Sequence, residues 1–143
     1  LFSSVGTLEY TGVTDLIAEG IMDIAGANTL LVMLLAGGVA ATLTAFMDNV
    51  LAVATLIPVV HSLAAIGVHA YPIWWILLIG GTYCGNATVI GSTANIVAAG
   101  YVEKRGYGSF SMLKWMILGV PISILTFLLA FALLYLQIPL MPH

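Results

Sequence analysis

Asp48 is the only Asp, Glu, Lys or Arg between Ile24 and Val102, and nearly everything around it is apolar or small. A charge at bilayer depth is costly, so such residues are rare and mark ion or substrate pathways. Asn49 follows it directly. A second polar cluster without charge, Asn86, Thr88, Ser92, Thr93 and Asn95, interrupts a later apolar stretch around Gly91. Hydroxyls, amides and backbone carbonyls are the oxygen ligands that hard cations take. A break in a membrane helix frees carbonyls and aims helix ends at a bound ion, and glycine lets the backbone leave the helix easily. A carboxylate in a dry site is neutralised by a proton or by a cation. Competition between H+ and Na+ at Asp48 is therefore a sufficient basis for exchange. A structural reading stands beside this one. Ser, Thr and Asn also join membrane helices by hydrogen bonds, and Asp48 can serve as a helix cap. Asn49 and Thr44 either complete an oxygen shell or cap the turn.

The elements that must position these groups follow from the apolar pattern. Thr29 to Ile66 would measure roughly 57 Å as one helix, well beyond a hydrocarbon core of about 30 Å. The chain must turn, and Met47-Asp48-Asn49-Val50 is where it leaves helical geometry most readily. A helical hairpin is expected over 29–66, with arms of about 24 to 27 Å. Two spans and a re-entrant pair both fit that length; only the second places Asp48 near the midplane. Small residues in the first arm, Ala36, Gly37, Gly38, Ala40, Ala41 and Ala45, allow close helix packing. A broken helix is expected over 72–102, opened by Pro72 and interrupted at Gly91-Ser92-Thr93. A last span is expected over 111–137, kinked at Pro121. Residues 7–27, carrying Glu9, Asp15, Glu19 and Asp23 among apolar residues, read as an acidic amphipathic interfacial helix. Leu1 to Val5 read as the tail of a preceding span.

Composition sets the class. The 143 residues are 62% hydrophobic and 6% charged, with a mean hydropathy of +1.14. Soluble domains carry about 25% charged residues, so an all-α integral membrane protein is expected, multi-pass and in contact with the bilayer. It forms one membrane transport domain over 1–143, small enough to be read as part of a longer protein, and no signal peptide is expected. The three basic residues, Lys104, Arg105 and Lys114, argue against nucleic-acid binding. They also place the 103–114 loop in the cytoplasm by the positive-inside tendency, which puts the C-terminus at His143 and the hairpin bases outside. The cell membrane is the expected location.

The remaining groups read as structural. Gly81 and Gly85 have the spacing of close helix contact. Neither His61 nor His69 has a Cys or carboxylate at metal-ligand spacing in the sequence, so both read as interfacial histidines, and the lone Cys84 excludes an internal disulfide. An aspartyl intramembrane protease needs a second carboxylate that the apolar region lacks. A rhomboid-like protease needs Gly-x-Ser-Gly, whereas Thr93 follows Ser92. No enzymatic activity and no cofactor beyond Na+ or H+ as transported or coupling ions are expected.

The sequence Phe46-Met47-Asp48-Asn49-Val50, followed by Ala54-Thr55-Leu56-Ile57-Pro58-Val59, resembles the hairpin of the ion transporter superfamily. That group includes NhaD-type sodium/proton antiporters, arsenite permeases, the melanosomal P protein and citrate or divalent-anion carriers. Gly85-Asn86-Ala87-Thr88-Val89-Ile90-Gly91-Ser92-Thr93-Ala94-Asn95 is similar to its discontinuous helix, and Gly106-Tyr107-Gly108 adds to the match. The resemblance implies one half of an inverted-repeat transporter, with a re-entrant hairpin and a discontinuous transmembrane helix. It implies an N-terminal repeat as partner, a homodimer, and binding between tip and break. Carried over, Asp48 and Asn49 belong to the tip, and Gly91, Ser92, Thr93 and Asn95 to the break. A Na+ site is placed at Asp48, Asn49, Ser92 and Asn95, with Asn86 and Thr88 as further binding residues. Leu51 stands where relatives with Asp-Asn at the tip often have proline, and the dicarboxylate carriers' Ser-Asn-Thr tip is absent. The expected function is a secondary active transporter, a sodium/proton or other cation/proton antiporter. Alternatives are an ion-coupled permease for arsenite, citrate, dicarboxylate or another oxyanion, and a non-transporting membrane scaffold subunit.

Overall fold

The computed structural model describes residues 3, 6–7, 10–26, 28–108 and 111–141. Among the described residues, six α-helices carry the fold: α1 (Val13–Ala25), α2 (Thr29–Phe46), α3 (Asn49–Ala65), α4 (Ala70–Tyr83), α5 (Thr93–Lys104) and α6 (Met112–Gln137). A 3-10 turn, Cys84–Ala87, follows α4, and another, Ile138–Leu140, follows α6. There is no strand among the described residues, in keeping with an all-helical chain.

Helix α1 begins after Gly12, which sits in the left-handed region at φ 72. Thr14, Ala18, Ile21 and Ala25 are its buried residues, a stripe at helical spacing that packs on α3 and α2. Asp15, Glu19 and Asp23 stay exposed, and the Ser62 hydroxyl donates to Asp15 Oδ1 at 2.7 Å, tying α1 to the far end of α3. The helix is thus amphipathic but shorter than the 7–27 segment, because the chain turns at Thr11–Gly12. Glu9, Ala27 and four of the five residues in Leu1–Val5 lie outside the described residues, as does His143.

Helices α2 and α3 form the hairpin, and α4 lies against both. The reason α2 can approach α4 is its row of small residues. Ala36, Gly37 and Ala40 are buried, and a Cβ on Gly80 of α4 would lie 2.7 Å from the Gly37 carbonyl oxygen. At Gly37 a Cβ would come within 2.6 Å of Ile76 Cγ1. The core around this contact is apolar: Met33, Leu56, Leu63, Ile73, Ile76 and Leu77 are essentially inaccessible.

Helix α6 packs over α4 and over the Cys84–Ala87 turn. Only Ser123, Phe127 and Leu134 of α6 are buried, while Leu113, Ile117, Leu118, Ile122, Leu125, Leu129 and Leu136 are exposed. A helix apolar on its exposed sides suits lipid rather than water. Among the described residues, two helical segments, Thr29–Phe46 and Met112–Leu140, are long and apolar enough to cross a membrane, and Asn49–Ala65 is a shorter apolar helix.

Candidate functional site

The hairpin tip is built by one non-helical residue and one cap. Met47 is extended at φ −134, ψ 165, which ends α2. Asp48 then caps α3, its Oδ1 accepting the Val50 N–H at 2.9 Å, one of the amide groups that a helix start leaves without an intrahelical partner. Asp48 and Asn49 are half-buried. Asn49 lines a cleft of about 310 Å³ between α3 and α4, with Val53, Ile57, Leu78 and Thr82.

The break is wider than the Gly91-Ser92-Thr93 interruption read from sequence, and it starts earlier. Helix α4 stops at Tyr83 and tightens into the 3-10 turn. Thr88 is extended at φ −127, ψ 161, as is Ser92 at φ −150, ψ 135, and helix resumes at Thr93. Tertiary contact explains the difference, because the end of α2 docks into the opening. The Thr44 hydroxyl donates to the Gly81 carbonyl at 2.9 Å. The Thr88 hydroxyl donates to the Ala45 carbonyl and accepts the Gly91 N–H at 3.0 Å. Gly91 lies so close that a Cβ would sit 2.6 Å from the Thr44 oxygen and 2.5 Å from the Gly85 oxygen.

Asn95 closes the break from the other side. Its Nδ2 donates to the Gly85 carbonyl at 3.2 Å and to the Thr88 carbonyl at 3.1 Å. Both amide protons are then in use, leaving Oδ1 as the acceptor. The Asn86 carbonyl accepts the Trp115 indole N–H at 3.0 Å. Sequence reasoning expected the break to leave carbonyls open to an ion. In this conformation those of Gly85, Asn86 and Thr88 each accept a side-chain donor.

The residues singled out from sequence therefore separate into groups. Thr88, Gly91 and Asn95 are buried and meet the backbone of Thr44 and Ala45 or hold the break around them. Asp48 and Asn49 sit just beyond, at the tip, and among the described residues no hydrogen bond joins them to the break. Ser92 is the half-buried residue preceding α5, without a side-chain capping bond. Thr93 is exposed on the outer side of α5 with Ala94, Val97 and Tyr101. Asn86 is exposed in a groove of about 370 Å³ with Lys114, Leu118 and Ile122.

Trp115 and the acceptor carbonyls of Ala45, Gly81 and Gly85 were not legible as site elements. A backbone carbonyl has no letter in the sequence, and nothing in Trp115 names its partner twenty-nine positions away. Among the described residues no group of three or more His, Cys, Asp or Glu side chains is placed to hold a metal ion.

The family model CitMHS, described as citrate transporter, matches residues 1–141. An uncharacterized transporter of Mycobacterium tuberculosis is 36% identical over 109 residues, covering 74% of this chain and 26% of that protein. A 46 kDa membrane protein of Mycobacterium leprae is 30% identical over 140 residues, 96% of this chain and 32% of the relative. The human P protein is 37% identical over 91 residues, 62% of this chain and 11% of that protein. The chain thus spans about a quarter to a third of the length of the mycobacterial relatives. No solved structure matches it. These relatives fall in the ion transporter superfamily that the Asp48-Asn49 and Gly85–Asn95 motifs resemble, and the family implies an integral membrane protein. The chain belongs to the CitMHS citrate transporter family.

Proposed function

We propose that this chain supplies the ion-binding half of a secondary active transporter that exchanges a cation, Na+, for protons. The observation that carries this reading is the junction of tip and break. Thr88 bridges the Ala45 carbonyl and the Gly91 N–H a few residues from Asp48, the only formal charge between Ile24 and Val102. Oxygen atoms at a non-helical opening, next to one carboxylate in apolar surroundings, suit a small hard cation that competes with a proton. Asp48 Oδ1 is engaged by the Val50 amide, which leaves Oδ2 for an ion. Asn49, Ser92 and the Oδ1 of Asn95 supply further oxygens when the junction rearranges around it, with Asn86, Thr88 and Thr93 at its margin.

In this reading the α2–α3 hairpin is re-entrant, α4 and α5 are two halves of a discontinuous transmembrane helix, and α6 spans the bilayer. The 103–114 loop is cytoplasmic and the C-terminus lies outside, in the cell membrane. The rest of the transporter supplies an inverted N-terminal repeat, and the whole works as a homodimer. An ion-coupled anion permease is the second reading, favoured by the family's description as citrate transporter; Asp48 would then hold the coupling cation rather than touch the anion.

The deciding experiment is sodium and proton flux in proteoliposomes containing the full-length transporter, wild type against Asp48→Asn. Sodium-driven proton movement that disappears in the variant supports exchange at the tip. Citrate uptake that needs sodium, without proton counterflow, selects the permease. A protein that assembles normally and moves none of these, nor arsenite or another oxyanion, would be a scaffold.

A further inference from the structure

Helix α6 touches the break at two points one turn apart. Trp115 Nε1 donates to the Asn86 carbonyl at 3.0 Å. Gly119 lies under the same turn, where a Cβ would stand 2.6 Å from the Asn86 oxygen and 3.1 Å from the Ala87 oxygen. Positions four apart share one face of a helix, so the indole N–H and the bare glycine backbone form a single seat for the Cys84–Ala87 turn. An indole can only donate, and a carbonyl outside regular helix needs a partner in apolar surroundings. Thr88 and Asn95 hold the break to the tip and to α5; Trp115 holds it to α6.

We propose that Trp115, seated by Gly119, is a positioning residue that keeps the Cys84–Ala87 turn closed on α6 and thereby sets the cation affinity of the tip–break junction. Its effect on affinity rests on the reading of that junction as the transport site; its effect on the turn does not. With the indole bond gone, the turn opens more often. The oxygens near it are then less well ordered for a cation, and preorganisation is what such a site contributes to binding.

Cys84, buried at the head of the turn and the only cysteine of this chain, reports the opening directly. The full-length protein in liposomes would be treated with N-ethylmaleimide, and alkylation of the Cys84 peptide followed by mass spectrometry. Trp115→Phe removes the N–H and keeps an aromatic ring; Gly119→Ala displaces the Asn86 carbonyl and serves if the first variant does not fold. Several-fold faster alkylation is expected in either, with half-saturating sodium raised several-fold and the maximal flux largely kept. An unchanged alkylation rate in the folded variants would overturn the proposal. Faster alkylation with unaltered half-saturation, in a transporter that is sodium-dependent as wild type, would also overturn it, leaving Trp115 a packing residue. A wild type without sodium-dependent flux defeats the proposed function, while alkylation still decides whether the seat holds the turn.

Discussion

Asn95, in the first turn of α5, donates an amide proton to the carbonyl of Gly85 at 3.2 Å across the break. The second proton goes to Thr88 at 3.1 Å, so one side chain bonds two carbonyls on the far side of the interrupted helix. Asn95→Ala removes both donors. A buried polar group left unsatisfied costs about 1–3 kcal/mol, and the variant should melt earlier in detergent than wild type. Equal melting midpoints would show that Asn95 does not hold the break.

Thr88 separates its hydroxyl from its shape. Thr88→Val keeps the branched side chain but loses the bonds to Ala45 and Gly91, and should be destabilised by about 1–3 kcal/mol. Thr88→Ser keeps the hydroxyl and should stay within about 1 kcal/mol of wild type, the size of one lost methyl contact. Denaturant titration of the two variants checks the order. Serine behaving no better than valine would mean that packing, not hydrogen bonding, holds tip to break.

Two glycines offer a contrast in close approach. A Cβ at Gly91 meets two backbone oxygens, of Gly85 and Thr44, neither of which can rotate away. Gly91→Ala should push the hairpin tip off the break and abolish transport in the flux assay. Gly38, inside α2, has open space where a methyl group would stand, with nothing within 4 Å. Gly38→Ala should therefore add about 0.5–1 kcal/mol through helix propensity. A functional Gly91→Ala protein would refute the close junction.

Asp48 caps α3, and substitution can separate that from the ion-binding role proposed for it. As N-cap its oxygen is replaceable by that of Asn, whereas Asp48→Ala should cost about 0.5–2 kcal/mol. Asp48→Asn should therefore fold like wild type yet lose sodium-driven proton exchange; Asp48→Ala should lose both exchange and stability. Exchange surviving in the Asn variant would reduce Asp48 to a cap.

Much of the architecture was legible in one dimension because its cause is local. An apolar run too long for one span has to turn, and Asp48-Asn49 is where the helix stops: Oδ1 of the aspartate completes the start of α3. The small residues Ala36, Gly37 and Ala40 signalled a close helix contact, though not that Gly80 would be its partner. The break was visible in Gly91 and its polar neighbours but was placed too late. What pulls the opening back to Tyr83 is the docked end of α2, a contact made by residues about forty positions apart.

The sequence by itself determined that this protein is helical, too apolar for water, and equipped with one carboxylate at a turn and a set of uncharged oxygens at an interruption. Hydrophobic pattern and residue type decide those things residue by residue. Only the tertiary structure decided which oxygens are spoken for: Gly85 and Thr88 by Asn95, Asn86 by Trp115, Ala45 by Thr88. Every residue but proline carries the same donor and acceptor on its backbone, so the choice among them is made by packing geometry and leaves no mark in the order of the letters.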